Sequence, residues 1–229
     1  MRKKYYRADY SAEEKVIGVY PQCHKFVTKL TESREKKMDE LYFLERDEDG
    51  KLPEETHRFD LYRLSGKKTN ILSQINFFQP LMDQKALDLF LKFNLGEYQV
   101  IPSNILYRKN FVEYYFLFYF SRVTKFINFP KSEFKIIIPG VKNEDYPTVN
   151  SLDEFNEIQH RIKKKYTIAW LEPKKIVFTN KFPINLDLFR IPAIDYGMFF
   201  VSEDLKNAIE AESLTGLEFE ENPIIEIEE

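Results

Sequence analysis

The stretch Leu205–Pro223, LKNAIEAESLTGLEFEENP, contains patterns for a helix, a turn and a strand in direct succession. Leu205, Ala208 and Ile209 are spaced three and four residues apart, which predicts one apolar face of an amphipathic helix. A Thr-Gly pair follows, and we expect Gly216 to adopt the left-handed conformation near the end of that helix. The stretch therefore predicts a helix joined to the next element by a short turn.

The residues after the turn predict an edge strand. Leu217 and Phe219 alternate with Glu218 and Glu220, as expected for a strand with one buried and one wet face. We expect Leu217 and Phe219 to be buried and the two glutamates to face outward. None of these features requires catalytic chemistry.

A second segment of helical period begins after Pro80. Leu87, Phe90 and Leu91 are expected to share one face, with charged residues between them, and Asp83 is a suitable N-cap.

The segment 151–166 carries a third helical pattern with signals at both ends. Ser151 and Glu154 have capping-box spacing, and three lysines stand where the helix dipole favours cations. Ser202 is the expected N-cap of the last helix. We expect the main helices near Asp83–Phe93, Leu152–Lys165 and Glu203–Glu212.

Strand patterns occupy most of the remaining chain. The segment EYYFLFYF, Glu113–Phe120, has aromatic residues at both odd and even positions, which predicts a central strand covered on each side. We expect a hairpin in 167–179 around Glu172-Pro173, a surface turn in 45–55, and either a helix or a loop in 31–44. Further strands are expected in 3–10, 15–20, 58–65, 97–102, 132–139 and 196–202.

Composition favours one folded domain. Hydrophobic residues make up 43% of the chain, and we find no repeat and no linker-like segment. The prediction is a single α+β domain over residues 1–229, with a mixed or antiparallel sheet, N-terminal strands and loops in 1–65, and about three main helices. No apolar run suits a membrane helix, and the basic start lacks the apolar region of a signal peptide, so we expect a cytoplasmic protein without membrane contact.

Charge is distributed unevenly along the chain. The formal net charge is −3, but residues 203–229 contain ten acidic residues and one lysine. These residues sum to −9 and the preceding part to +6. Such asymmetry influences encounters with charged partners and carries no information about the fold.

Motifs for catalysis or metal binding are missing from the sequence. The single cysteine, Cys23, is adjacent to His24, but a catalytic Cys/His pair is normally assembled across a fold. The three histidines have no zinc spacing, and there is no phosphate-binding loop. We therefore expect no catalytic residue, no metal and no cofactor. An enzyme with an unrecognised pocket stays open as an alternative.

One basic cluster suggests a nucleic-acid interface. The segment HRIKKKY places Lys163–Lys165 beside Tyr166. Lysines are favoured at a helix C-terminus in any case, so nucleic-acid binding is retained only as an alternative.

Three segments together resemble a known family. ALDLFLKFNLGEYQVIPSNI (86–105), FINFPKSEFKI (126–136) and MFFVSEDLKNAIEAESLTGLEFEE (198–221) are similar to successive blocks of a bacterial family, formerly a domain of unknown function, of immunity proteins of polymorphic toxin systems. The last block is the most specific. The resemblance covers about the last two thirds of the chain, and residues 1–65 add nothing to it.

The resemblance implies a function based on binding. Its members are expected to bind a cognate toxin domain and block it, without turnover or cofactor. Because electrostatic complementarity speeds encounter, the face carrying Glu218, Glu220 and Glu221 is expected to meet a basic toxin surface. The alternative is that these acids only keep an edge strand soluble.

Overall fold

The computed structural model describes residues 3–26, 62–74, 79–142, 145–166, 168–194, 199–220 and 224–229. In chain order the strands are β1 (Tyr5–Tyr10), β2 (Cys23–Phe26), β3 (Tyr62–Leu64), β4 (Ile71–Leu72), β5 (Leu81–Met82), β6 (Glu97–Tyr107), β7 (Asn110–Phe120), β8 (Glu133–Ile137), β9 (Trp170–Phe178), β10 (Leu188–Phe189), β11 (Phe199–Ser202), β12 (Leu217–Phe219) and β13 (Ile225–Ile227). The α-helices are α1 (Glu14–Ile17), α2 (Gln84–Phe90), α3 (Leu152–Lys165) and α4 (Glu203–Ala211), with 3₁₀ turns at Thr124–Phe126 and Phe129–Lys131.

The described strands form three sheets. A four-stranded antiparallel sheet has the order β10-β11-β1-β12. A six-stranded mixed sheet has the order β2-β3-β6-β7-β5-β4, in which only the β3–β6 pair is parallel. A three-stranded mixed sheet has the order β13-β9-β8. The predicted α+β class with mixed and antiparallel pairing is confirmed, whereas one domain over residues 1–229 stays a prediction.

The aromatic segment 113–120 is a central strand, as predicted. It lies within β7, which pairs with β6 on one side and β5 on the other. Leu117 and Tyr119 pack in one hydrophobic cluster, whereas Phe116 and Phe118 pack in another. Apolar residues are needed at both odd and even positions because both faces of this strand are covered.

The three main helices lie where the sequence predicts them, and the predicted caps are present. The side chains of Asp83, Ser151 and Ser202 each accept a hydrogen bond from the backbone N–H three residues later. One predicted contact is wrong: α2 ends at Phe90, and Leu91 at its C-cap is exposed. The buried face of α2 includes Ala86 and Leu89 instead.

Two predicted strand patterns fold differently. Within 15–20, residues 15–17 belong to the short helix α1 and no strand forms. Residues 170–178 form the single strand β9, so the hairpin predicted around Pro173 is wrong. The pairing of β8 with β9 shifts register at Glu133/Phe134, opposite Pro173, and this irregularity accommodates a residue without a backbone N–H.

Some predictions fall outside the described residues. These are the helix or loop in 31–44, the turn in 45–55, and the starts of the strands in 58–65 and 196–202, of which β3 and β11 are the described parts.

The four-stranded sheet separates two hydrophobic clusters. On one face, Tyr5 and Phe200 pack with Phe155 of α3. On the other face, Ala8 and Val201 pack with α2, α4 and the six-stranded sheet. The sheet therefore joins the α3 side of the molecule to the α2 and α4 side.

Trp170, the single tryptophan, lies at the end of the three-stranded sheet. It pairs with Ile137, the last residue of β8, and its side chain is 39% exposed. The β8–β9 end therefore presents an indole ring to solvent.

Candidate partner-binding surface

The predicted glutamates lie on an edge strand of the four-stranded sheet. In the described part of the chain β12 pairs only with β1, and Glu218 stands opposite Asp9 in the ladder. Glu220 continues the pairing, since its N–H donates to the carbonyl oxygen of Arg7 at 3.1 Å. Glu221 lies outside the described residues.

The register places several charged side chains together on one sheet face. Because side chains alternate along a strand, Arg7 and Asp9 of β1 face the same way as Glu218 and Glu220. We call these four residues the acidic edge. Sequence analysis missed Arg7 and Asp9, although their alternate positions in YYRADY were the available signal.

Arg7 is the centre of the acidic edge. Its Nη1 lies 3.0 Å from Oε1 of Glu220, and its Nε lies 3.7 Å from Oδ2 of Asp9. Ser11 Oγ donates a hydrogen bond to Glu218 Oε1 at 2.5 Å. Two carboxylates thus pair with the Arg7 guanidinium, and the third, that of Glu218, accepts from Ser11, so the acidic edge combines three carboxyl groups with one basic group.

The pKa of Asp9 is raised above its ordinary value. Burial is the main cause, and the neighbouring carboxylates Glu220 and Glu218 raise it further, whereas Arg7 lowers it. Burial and the two neighbouring carboxylates therefore oppose ionisation of Asp9, and Arg7 favours it.

The turn before β12 differs in detail from the prediction. Gly216 has the expected positive φ of 108°, but Ser213, with φ 52°, is the left-handed residue that ends α4. Ser213 N–H donates to the carbonyl of Glu210, and Leu214 N–H donates to that of Ile209, which is the Schellman pattern. Leu217 and Phe219 are half-buried against the α2 and α4 cluster rather than fully buried.

The Cys23 thiol lies in an environment that does not suit nucleophilic catalysis. Cys23 is buried in β2, and burial raises its thiol pKa to about 12, so the thiolate is scarce at neutral pH. Among the described residues, no group of three or more His, Cys, Asp or Glu side chains is placed to hold a metal ion. No helix in the described ranges is long and apolar enough to span a membrane.

The basic cluster considered for nucleic acid ends α3. Lys163–Lys165 occupy its last turn, and Lys165 Nζ lies 5.1 Å from the centre of the Tyr166 ring. This is the position where the helix dipole favours cations, and part of the available aromatic surface is already covered by lysine.

Comparison with known proteins identifies the family. A model of the immunity protein family Imm11 matches residues 4–222. The chain therefore belongs to this immunity protein family, and the match begins far upstream of the segments whose resemblance was visible in the sequence. No curated protein sequence matches the chain.

Proposed function

We propose that this protein binds and neutralises a cognate bacterial toxin domain of a polymorphic toxin system by stoichiometric contact in the cytoplasm. The observation that carries the proposal is membership of an immunity protein family over residues 4–222. Inhibition of this kind needs a surface complementary to the toxin in shape and charge, and it needs no turnover.

The acidic edge is the proposed contact with the toxin. Asp9, Glu218 and Glu220 converge on one sheet face beside a strand that has no second neighbour among the described elements. A basic toxin surface opposite this edge would gain encounter rate and partner selectivity. We include Glu221 in the proposed contact because it directly follows Glu220 in sequence.

Co-expression tests the function. The toxin domain is taken from the gene immediately upstream, where we expect a large protein with a variable C-terminal toxin domain. We expect the unmodified chain to restore growth and to co-purify with the toxin domain at a fixed ratio. Absence of both a complex and growth rescue would refute the proposal.

Charge variants test the contact separately. In the triple variant Glu218→Lys/Glu220→Lys/Glu221→Lys, we expect weaker binding and weaker protection because like charges would face each other. The matched triple Gln variant removes charge with little change in size and should give an intermediate affinity. Full protection by the Lys variant would refute this choice of surface while leaving toxin neutralisation intact.

A further inference from the structure

A concave basic site lies at the far end of the six-stranded sheet. Arg63 of β3, Lys67 and Arg108 line a groove of about 710 Å³, together with Val19 and Tyr107. We call it the basic groove. None of its described lining residues is acidic.

Among the described residues, the arginines of the basic groove have no acidic partner. Neither Arg63 nor Arg108 forms an ion pair or a side-chain hydrogen bond with any residue the structure describes, whereas Arg7 elsewhere is paired with carboxylates. Lys67 Nζ donates to the carbonyl oxygen of Lys15 at 2.8 Å, which fixes one ammonium at the rim. Because guanidinium groups pair well with carboxylates and phosphates, two unpaired arginines in one concavity indicate an anionic ligand.

Arg108 is held in an uncommon backbone conformation. Tyr107 pairs with Asn110, so Arg108 and Lys109 form the two-residue loop of the β6–β7 hairpin. Arg108 has φ 58°, a conformation for which glycine and asparagine are favoured in such loops. The side chain at this strained position lies over the Tyr107 ring, with Cζ 5.1 Å from the ring centre. An asparagine would adopt this conformation more easily but could not supply the guanidinium.

Apolar side chains lie close to the basic residues of the groove. In the sheet register Arg63 is next to Leu106, which is next to Phe111, so the three form a row across β3, β6 and β7 on one face. The Phe111 side chain is 57% exposed, and Val19 at the rim is also exposed. Arg63 and the exposed Phe111, separated by Leu106, are residue types enriched in protein interfaces.

We propose that the basic groove binds an acidic segment of a partner protein, with carboxylates at Arg63 and Arg108 and an apolar side chain against Phe111. The inference rests on the proposed function for the identity of that partner, the cognate toxin domain. The acidic edge belongs to a different sheet, so the two surfaces can be altered by separate variants.

A protein segment fits the groove better than nucleic acid does. Base stacking needs a free aromatic face, but at Tyr107 Lys68 Nζ and the Arg108 guanidinium lie 5.8 Å and 5.1 Å from the ring centre. The exposed Phe111 ring is left free for stacking, and the RNA probe below tests it.

Binding of the full chain to the upstream toxin domain is the main experiment. We expect Arg63→Glu/Arg108→Glu to weaken this binding by at least about 30-fold, since reversing charges that pair with carboxylates leaves like charges in contact. The control Lys92→Glu/Arg161→Glu has the same change in net charge at exposed sites and should alter affinity by less than about threefold.

Arg108→Asn should keep or raise the melting temperature while weakening binding. Equal affinity of the wild type and the charge-reversed variant refutes the inference.

Defined probes distinguish the other occupants. A labelled decapeptide of alternating Glu and Leu should bind the wild type but not the charge-reversed variant, and the same peptide with Gln for Glu should bind neither. Binding of a single-stranded RNA dodecamer in place of the peptide, or a dimer that dissociates on charge reversal, refutes the inference. If the wild type fails to bind the toxin domain but binds the acidic peptide through Arg63 and Arg108, the proposed function fails and the groove's specificity stands.

Discussion

At the scale of single residues, Gly216 fixes the contact between the turn after α4 and the six-stranded sheet. A β-carbon at this position would lie 1.9 Å from the carbonyl oxygen of Ile71. The backbone N–H of Ile71 also donates to the carbonyl oxygen of Thr215 at 3.0 Å, which holds the two segments together. Glycine is therefore required for close approach as well as for its positive φ.

Gly216→Ala is expected to destabilise the protein by more than about 1 kcal/mol, because a positive φ and a backbone collision act together. Thermal unfolding of the purified chain measures the loss. Gly140→Ala is the matched control: Gly140 also has a positive φ of 78°, but its β-carbon would meet no atom within 4 Å. A loss for Gly216→Ala no larger than that for Gly140→Ala would contradict the steric argument.

Local signals predicted some residue roles well and others poorly. Asp83, Ser151 and Ser202 were identified as caps because a capping side chain bonds to backbone only three residues away. Ser213 was missed because serine rarely adopts the left-handed conformation, so the prediction assigned that conformation to the nearby Gly216.

At the scale of elements, β9 shows why a local turn signal was misleading. Pro173 predicts a break in isolation, but β8 pairs along this segment with a register shift, and the parallel strand β13 pairs only from Ile176 onward. Proline therefore avoids the regular part of both ladders. Strand partners distant in sequence decided this element, and a local pattern contains no information about them.

Ile225→Ala is expected to destabilise the protein by about 2–5 kcal/mol, the usual range for truncating a buried isoleucine. Ile225 begins β13, is 8% exposed, and packs in the cluster that contains Phe155. Chemical denaturation monitored by circular dichroism gives the free energy of unfolding. The same change at Ile184, which is 48% exposed, should cost less than about 0.5 kcal/mol. Similar losses at the two positions would show that β13 contributes little to the core.

At the scale of the whole molecule, contacts between distant segments build both proposed surfaces. The acidic edge exists because β1 near one end of the chain pairs with β12 near the other. Glu218 and Glu220 could be predicted to face outward, but Arg7 and Asp9 could be placed beside them only once that pairing was known. The basic groove likewise combines residues 18–19, 63–67 and 107–108.

Asp187 connects three further segments. Its carboxylate accepts hydrogen bonds from Ser202 Oγ at 2.6 Å and from the Asn94 N–H at 2.9 Å, and it pairs with Lys3 Nζ at 2.7 Å. Burial alone would raise the pKa of Asp187, but the hydrogen bonds from Lys3, Ser202 and Asn94 outweigh it and hold the pKa below its ordinary value.

Asp187→Asn is expected to lower the free energy of unfolding at pH 7 by about 1–3 kcal/mol. The reason is that Lys3, Ser202 and Asn94 would lose a charged hydrogen-bond acceptor. The folded-state pKa is depressed, so the wild-type advantage is present above the ordinary pKa of aspartate and is lost as the pH falls through the folded-state value. Denaturation curves from pH 7 to pH 2 measure the difference. A difference that stays constant over this range would contradict the assigned ionisation.

The position of Trp170 gives the molecule an intrinsic optical reporter. Its indole is partly exposed at the β8–β9 end, on a different sheet from either proposed binding surface. Fluorescence emission from this ring should therefore shift to shorter wavelength when a bound partner covers that end. Occupancy confined to the basic groove or the acidic edge should leave the emission maximum and its quenching by acrylamide unchanged. One native fluorophore can thus reveal whether a partner spreads beyond these two surfaces, without attaching a dye.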